Sequence, residues 1–313
     1  MKLKTIIKIL ISIIILSFLL FIVDLNELKE TILKFKASQI IKLVSLYCLG
    51  QIISSFKWWL ILKNALIKVT FTKTTISYFS GMFTNFFGLG MATGDFVRGI
   101  LAGGTENKTK SLITVGIDRI HGLLILAAYS LFFAGITKYT DFSFSKYLNL
   151  NISDYLIYIL FSFLIFISFP LTAKFGKNIF KNKIKLHKFI NLFPNKLSTY
   201  IYISIISVIF HSLQIYIYYL ITIYLNFEIP LKVLLVVIPV INILSSLPLS
   251  WNGVGIREAA ILFLLINFDY MTKSQGIALG LSWLMIITIS SIIGGIIAII
   301  GLNKEELLKL KSV

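Results

Sequence analysis

Long apolar runs recur along this chain, and they decide what it can fold into. Residues 6–23, 40–62, 111–136, 155–173, 200–225 and 276–302 are apolar stretches of the length an α-helix needs to cross a hydrocarbon core, roughly 20 residues. In lipid, backbone N–H and C=O groups have no water to turn to, so such runs become helices. Composition agrees. Of 313 residues, 57% are hydrophobic and 14% are charged, where a soluble domain carries about 25% charged residues. A soluble enzyme, a disordered chain and a coiled coil are excluded. The expected fold class is an all-α polytopic membrane protein, with one integral membrane domain over 1–303 and a cytoplasmic tail at 304–313.

Details of the runs refine this. Lys2, Lys4 and Lys8 precede the first run, which is too long for a cleaved signal peptide and has no small-residue cleavage site. It reads as an uncleaved helix entered from the cytoplasm. Asp24 and Glu27 form a capping-box-like start to a short amphipathic segment carrying Leu25, Leu28, Ile32 and Phe35. Lys57, Trp58 and Trp59 read as interface anchors at the end of the second run. Two apolar stretches, 75–89 and 233–247, are short and broken. The first ends in Gly88-Leu-Gly90 and Gly94; the second runs through Pro239 and Pro248 to Gly253 and Gly255. Short apolar segments interrupted by Gly or Pro point to re-entrant hairpins.

Charge sets the topology. The net charge of +17 would suggest nucleic acid in a soluble protein, but here the basic residues sit mainly between apolar runs. The N-terminus, 57–75, 90–110, 174–199 and the tail together carry 20 Lys and Arg, and are placed inside. Residues 24–39, 138–153, 227–232 and 269–275 carry 7, and are placed outside. Both ends of 75–89 then fall inside, and both ends of 233–268 outside. The expected plan is six full spans plus two re-entrant helical hairpins dipping from opposite sides, as an inverted repeat with halves of about 1–137 and 138–303. Residues 181–196 alternate lysine with apolar residues, a basic surface suited to anionic lipid.

Ionisable residues at membrane depth are costly and mark candidate sites. Three acid–base pairs stand out: Asp95 with Arg98, Asp118 with Arg119, and Arg257 with Glu258. Asp95 and Arg98 share a helix face; Arg257 and Glu258 point apart, so each needs its own partner. A guanidinium holds phosphate bidentately, and two hairpins meeting near the midplane would suit an anionic lipid headgroup. The weaker candidates are structural first. His121 and His211 read as satisfied interior histidines before proton relays. Asn64, Asn85 and Asn242 either line a polar cavity or cap breaks. Gly276 with Gly280, and Ser290 and Ser291 with Gly294 and Gly295, are small-residue helix contacts. The spacing of Gly88, Gly90 and Gly94 is wrong for a dinucleotide loop. One cysteine, Cys48, and three scattered histidines offer no metal-ligand spacing, and no cofactor is expected.

The run from Leu247 through Pro248, Trp251, Gly253 and Gly255 to Arg257-Glu258 resembles the proline-then-Gly-x-Gly-x-Arg-Glu signature of the lysylphosphatidylglycerol synthase transmembrane family, also called flippase-like domain proteins. Asn85 with Gly94-Asp95-x-x-Arg98 resembles that family's first signature, and Asp118-Arg119 its acidic-Arg pair. A proline usual in the first break is replaced here by Gly88-Leu-Gly90. The resemblance covers essentially the whole chain. It implies a plasma-membrane protein that moves or exposes a charged or glycosylated lipid between leaflets, with Asp95, Arg98, Asp118, Arg119, Arg257 and Glu258 at the headgroup. Longer relatives carry a soluble domain that aminoacylates phosphatidylglycerol; the chain to Val313 leaves no room for it, so a lysyltransferase activity is not expected of it alone. The alternatives are a lipid-modifying membrane enzyme, or a membrane subunit that recruits a separate soluble synthase. The expected partners are a membrane phospholipid or lipid-linked substrate and anionic lipid at the inner surface, with no nucleic acid.

Overall fold

The computed structural model describes residues 26, 29–30, 33–88, 91–137, 154–179, 192–194, 196–247, 250–266 and 270–303. The regular structure among these residues is helical, with no strand. In chain order the helices are α1 (Ala37–Asn64), α2 (Phe71–Phe87), α3 (Met91–Gly103), α4 (Lys108–Thr137), α5 (Asp154–Ile179), α6 (Leu197–Tyr224), α7 (Leu231–Ser246), α8 (Ile256–Ile261) and α9 (Lys273–Gly301). A π-helical turn, Leu262–Ile266, continues α8. Helices α1, α4, α6 and α9 are long and apolar enough to cross a membrane. The protein is an integral membrane protein on that ground. The first apolar run, residues 6–23, lies outside the described residues, as do the capping-box start at Asp24 and Glu27, most of the basic segment 181–196, and the tail 304–313.

The apolar side chains sort as a bilayer requires. Ile299 and Ile300 of α9 are 69% and 80% exposed, and Leu160, Phe161 and Phe163 of α5 are exposed too, in a chain whose helices bury Trp58, Tyr218 and Ile238 completely. Such outward surface belongs against lipid chains, not water. The two larger of three buried clusters among the described residues hold most of the core. One gathers Trp58, Ile61, Leu62, Ile203 and Tyr200; the other gathers Tyr218, Ile238, Ile241, Trp283 and Ile286.

The breaks are real. Helices α2 and α3 pack on one another, as do α7 and α8. Each pair is a helical hairpin lying between two long helices, so the order long helix, hairpin, long helix occurs twice. The boundaries repeat with it: α1 and α6 both have 28 residues and are displaced by 160 positions (37 to 197, 64 to 224), and the hairpins begin at 71 and 231 with the same displacement. Both long helices also end alike. Leu66 and Asn226 have φ of 58°. The next residue's N–H in each case reaches back to a carbonyl, Ile67 to Leu62 O at 3.0 Å and Phe227 to Thr222 O at 2.8 Å. This is a left-handed C-terminal cap that satisfies orphan carbonyls.

Helix α9 starts at a capping box. Thr272 Oγ1 accepts from Gln275 N at 3.2 Å, and Gln275 Oε1 accepts from Thr272 N at 3.0 Å. Thr272→Ala is expected to lower stability by about 1 kcal/mol in a detergent unfolding titration. The small residues of α9 make the contacts their spacing predicts. Gly276 faces Leu262, Gly280 faces Glu258, Gly294 faces the Phe79 carbonyl, and Gly295 faces the Phe83 ring.

One expectation fails. Lys57 and Trp58 are not interface anchors: they are 4% and 0% exposed. Lys57 stands inside the apolar run, about two turns before the helix ends at Asn64, so it turns inward to Asp118 instead of outward to headgroups. Lys57 therefore does not belong to the inner-loop charge count. Trp59 alone keeps an anchor-like place, with Lys63 Nζ 3.9 Å from its ring.

Candidate functional site

The first hairpin is closed by two glycines and an asparagine. A Cβ on Gly81 would lie 2.7 Å from the Gly94 carbonyl, so the helices meet backbone to backbone. Asn85 Oδ1 accepts from Gly94 N at 2.9 Å, filling the place of a missing backbone partner at the start of α3. Gly94 is thus a packing residue inside α3 and not the turn itself; Gly88 caps the end of α2, and Gly90 lies outside the described residues. This approach carries Asp95 and Arg98 toward α1 and α4.

There the charges form an alternating chain. Lys57 Nζ pairs with Asp118 Oδ1 at 2.9 Å, and Arg98 Nη1 with Asp118 Oδ2 at 3.1 Å. Arg98 Nε pairs with Asp95 Oδ1 at 3.1 Å, one helical turn away, and Arg119 Nε pairs with Asp95 Oδ2. Asp118 and Arg119, adjacent in the sequence, reach different partners in this chain of charges. Neighbouring residues on a helix project about 100° apart, so each reaches a different partner. The Arg98 guanidinium lies between aromatic faces, 4.9 Å from the Trp58 ring and 4.8 Å from the Tyr78 ring. Both rings are held in turn: Trp58 Nε1 donates to Thr114 Oγ1 at 3.1 Å, and the Tyr78 hydroxyl is 2.8 Å from Ser54 Oγ. Buried charges persist only when paired in this way.

The second hairpin is built differently. Asn252, Gly253 and Gly255 have φ of 57°, 78° and 85°, a left-handed turn that brings the chain back under α7. A Cβ on Gly253 would sit 2.7 Å from the Ser245 carbonyl. Pro248 lies outside the described residues. Glu258 Oε2 accepts from Gly255 N at 2.7 Å, a capping contact at the head of α8. Its side chain is fully buried against Gly280. Arg257 points elsewhere, close to the Tyr47 and Tyr218 phenols. Tyr218 stacks on Trp283 with centroids 4.1 Å apart and planes at 9°. Arg257 Nε and Nη1 are buried and have no hydrogen-bond partner among the described residues.

Both hairpins open onto one cavity of about 310 Å³. Asp95, Arg98, Asp118, Arg119 and Arg257 line it; Glu258 does not. Asn85 and Asn242 line it as well, so the asparagines do both things foreseen for them, with Asn85 also capping. His211 is at the wall, whereas His121 is a satisfied interior histidine, 3.1 Å from Ser204 Oγ and 3.4 Å from Ser207 Oγ. Asn64 is away from the site, donating to Leu192 O at 3.2 Å. Lys57 is the site residue that sequence reasoning missed. The available signal was a lysine seven positions before the end of a helix, opposite an unpaired aspartate on another.

No curated protein matches the chain significantly. The family described as lysylphosphatidylglycerol synthase TM region matches residues 5–295, which takes in both hairpins and every charge that lines the cavity. With the Asp95-x-x-Arg98 and Gly253-x-Gly-x-Arg257-Glu258 segments built into paired helical breaks around one polar cavity, the chain belongs to the lysylphosphatidylglycerol synthase transmembrane-region family.

Proposed function

We propose that this protein moves or exposes a charged or glycosylated lipid between leaflets of the plasma membrane, with the cavity between the hairpins as its headgroup site. The observation that carries the reading is that Arg98 of the first hairpin and Arg257 of the second line the same cavity. Their convergence needs both breaks, so the breaks serve a shared purpose. Asp95, Asp118 and Arg119 complete the wall, while Glu258 acts behind it by fixing the turn that presents Arg257. The matched 160-residue displacement supports two related halves. Together with the basic-residue count it supports six spans and two re-entrant hairpins of opposite orientation, with both termini cytoplasmic.

The test is a leaflet-exchange assay in proteoliposomes, in which dithionite quenches fluorescent lipid in the outer leaflet. Arg257→Gln keeps the size of the side chain and removes its charge. It is expected to slow exchange about tenfold while size-exclusion behaviour is unchanged. Equal rates for wild type and variant would remove the headgroup assignment. A second reading follows from the family description, which names a synthase. Formation of aminoacylated lipid by the purified chain, or co-purification of a soluble synthase with it, would favour that reading over transport.

A further inference from the structure

The two halves are alike in layout and unlike in charge, and the difference says what the cavity accepts. Trp58 and Tyr218 are each the twenty-second residue of their long helix, and each lies beside the arginine of its own hairpin, Arg98 or Arg257. Arg98 has acids on both sides: Asp95 three residues earlier and Asp118, the eleventh residue of α4. At the matching places around Arg257 stand Val254, three residues earlier, and Trp283, the eleventh residue of α9. The second half keeps the arginine and its aromatic neighbour and lacks both acids. No ion pair to Arg257 exists among the described residues, and Glu258, the adjacent acid, gives Oε2 to the Gly255 amide and keeps Oε1 buried, outside the cavity lining and without a hydrogen-bond partner among the described residues.

The lining is therefore lopsided. Lys57, Arg98, Arg119 and Arg257 face it against Asp95 and Asp118. All four oxygens of those two carboxylates are already in ion pairs with Lys57, Arg98 or Arg119. The wall thus has no carboxylate to spare for a ligand's ammonium group. It has spare donors, however. Arg257 Nε and Nη1, Asn242 Nδ2 and Ser291 Oγ are buried, line the cavity and have no hydrogen-bond partner among the described residues. Unmet donors on a guanidinium that makes no ion pair are costly in a low-dielectric site unless an anion arrives.

We infer that the cavity binds a phosphate anion with no accompanying ammonium, with Arg257, assisted by Asn242, as its contact, and that it discriminates against aminoacylated headgroups. The inference rests on the cavity being the lipid site. The phosphate belongs either to an anionic phospholipid or to a free ion, and the experiment separates the two.

The full chain in detergent is heated with short-chain phosphatidylglycerol, lysylphosphatidylglycerol, phosphatidylcholine or inorganic phosphate, and the shift in unfolding midpoint is titrated. Phosphatidylglycerol is expected to bind about tenfold more tightly than the lysyl and choline lipids, and Arg257→Gln to abolish that preference. Asn242→Ala is expected to weaken phosphatidylglycerol binding while keeping the preference. Inorganic phosphate matching phosphatidylglycerol supports the anion chemistry with a free ion as ligand; no shift with inorganic phosphate assigns it to the lipid. Equal or tighter binding of lysylphosphatidylglycerol by the wild type overturns the inference, and that comparison needs no variant to fold. Retained preference in a folded Arg257→Gln protein overturns it too. Anion binding without leaflet exchange would end the transport reading and leave this one standing; exchange of a lysyl lipid that outcompetes phosphatidylglycerol would do the reverse.

Discussion

Asp118→Asn is expected to destabilise the protein by about 3–5 kcal/mol, the range found when one member of a buried ion pair is removed. The carboxylate accepts both Lys57 and Arg98, and all three residues are at most 5% exposed. Asparagine keeps the shape and loses the charge, so two buried cations lose a shared counter-ion. Arg98 retains Asp95; among the described residues, Lys57 retains only the Asp118 main-chain carbonyl, to which it donates at 3.3 Å. The penalty should therefore fall mainly on Lys57. Adding Lys57→Met to Asp118→Asn is expected to recover more than half of the loss, read as a double-mutant cycle from unfolding in detergent. A single variant as stable as wild type would show that the charge chain contributes nothing to the fold.

Gly94→Val is the second large effect, expected at about 3 kcal/mol or above. Any Cβ at this position lands on the Gly81 carbonyl and the Asn85 side-chain amide. Neither can yield easily, since one is backbone and the other is fixed by its bond to Gly94 N. The hairpin would have to open, carrying Asp95 and Arg98 away from Asp118. Gly116→Ala supplies the contrast within the same molecule. No atom lies within 4 Å of a Cβ there, and the residue is inside α4. That change is expected to raise stability by about 0.5–1 kcal/mol through helix propensity. If both glycine variants unfold alike, close helix approach is not what closes the first hairpin.

Much of this was readable beforehand, for definable reasons. Long apolar runs have one cheap solution in lipid, so the long helices α1, α4, α5, α6 and α9 were legible from hydropathy. The breaks at 88–94 and 247–255 were legible because glycine and proline act locally. The site residues were legible because charge in an apolar setting is expensive, and five of the six ionisable residues singled out do line the cavity. What was hidden depends on contacts between distant segments. Adjacent charges look paired in a sequence; only the helix rotation reveals that Asp118 serves Lys57 and Arg98 while Arg119 serves Asp95. Lys57 looked like a surface lysine because nothing in its neighbourhood along the chain hints at an aspartate 61 residues later. Glu258 looked like a ligand-binding acid, and one oxygen of its carboxylate serves its own turn while the residue stays outside the cavity lining.

The contact of α9 with α2 sets a mechanical condition. Gly294 and Gly295 let the final long helix settle directly on the Phe79 carbonyl and the Phe83 ring, so a helix from the C-terminal half is keyed into the N-terminal hairpin. In the same manner α6 lies on α1 and α7 on α4. Two halves interleaved like this have no shared plane along which to swing apart as a clamshell. A tilt of α9 would be felt directly by α2, the helix that carries Asn85, because the two meet at close contact there.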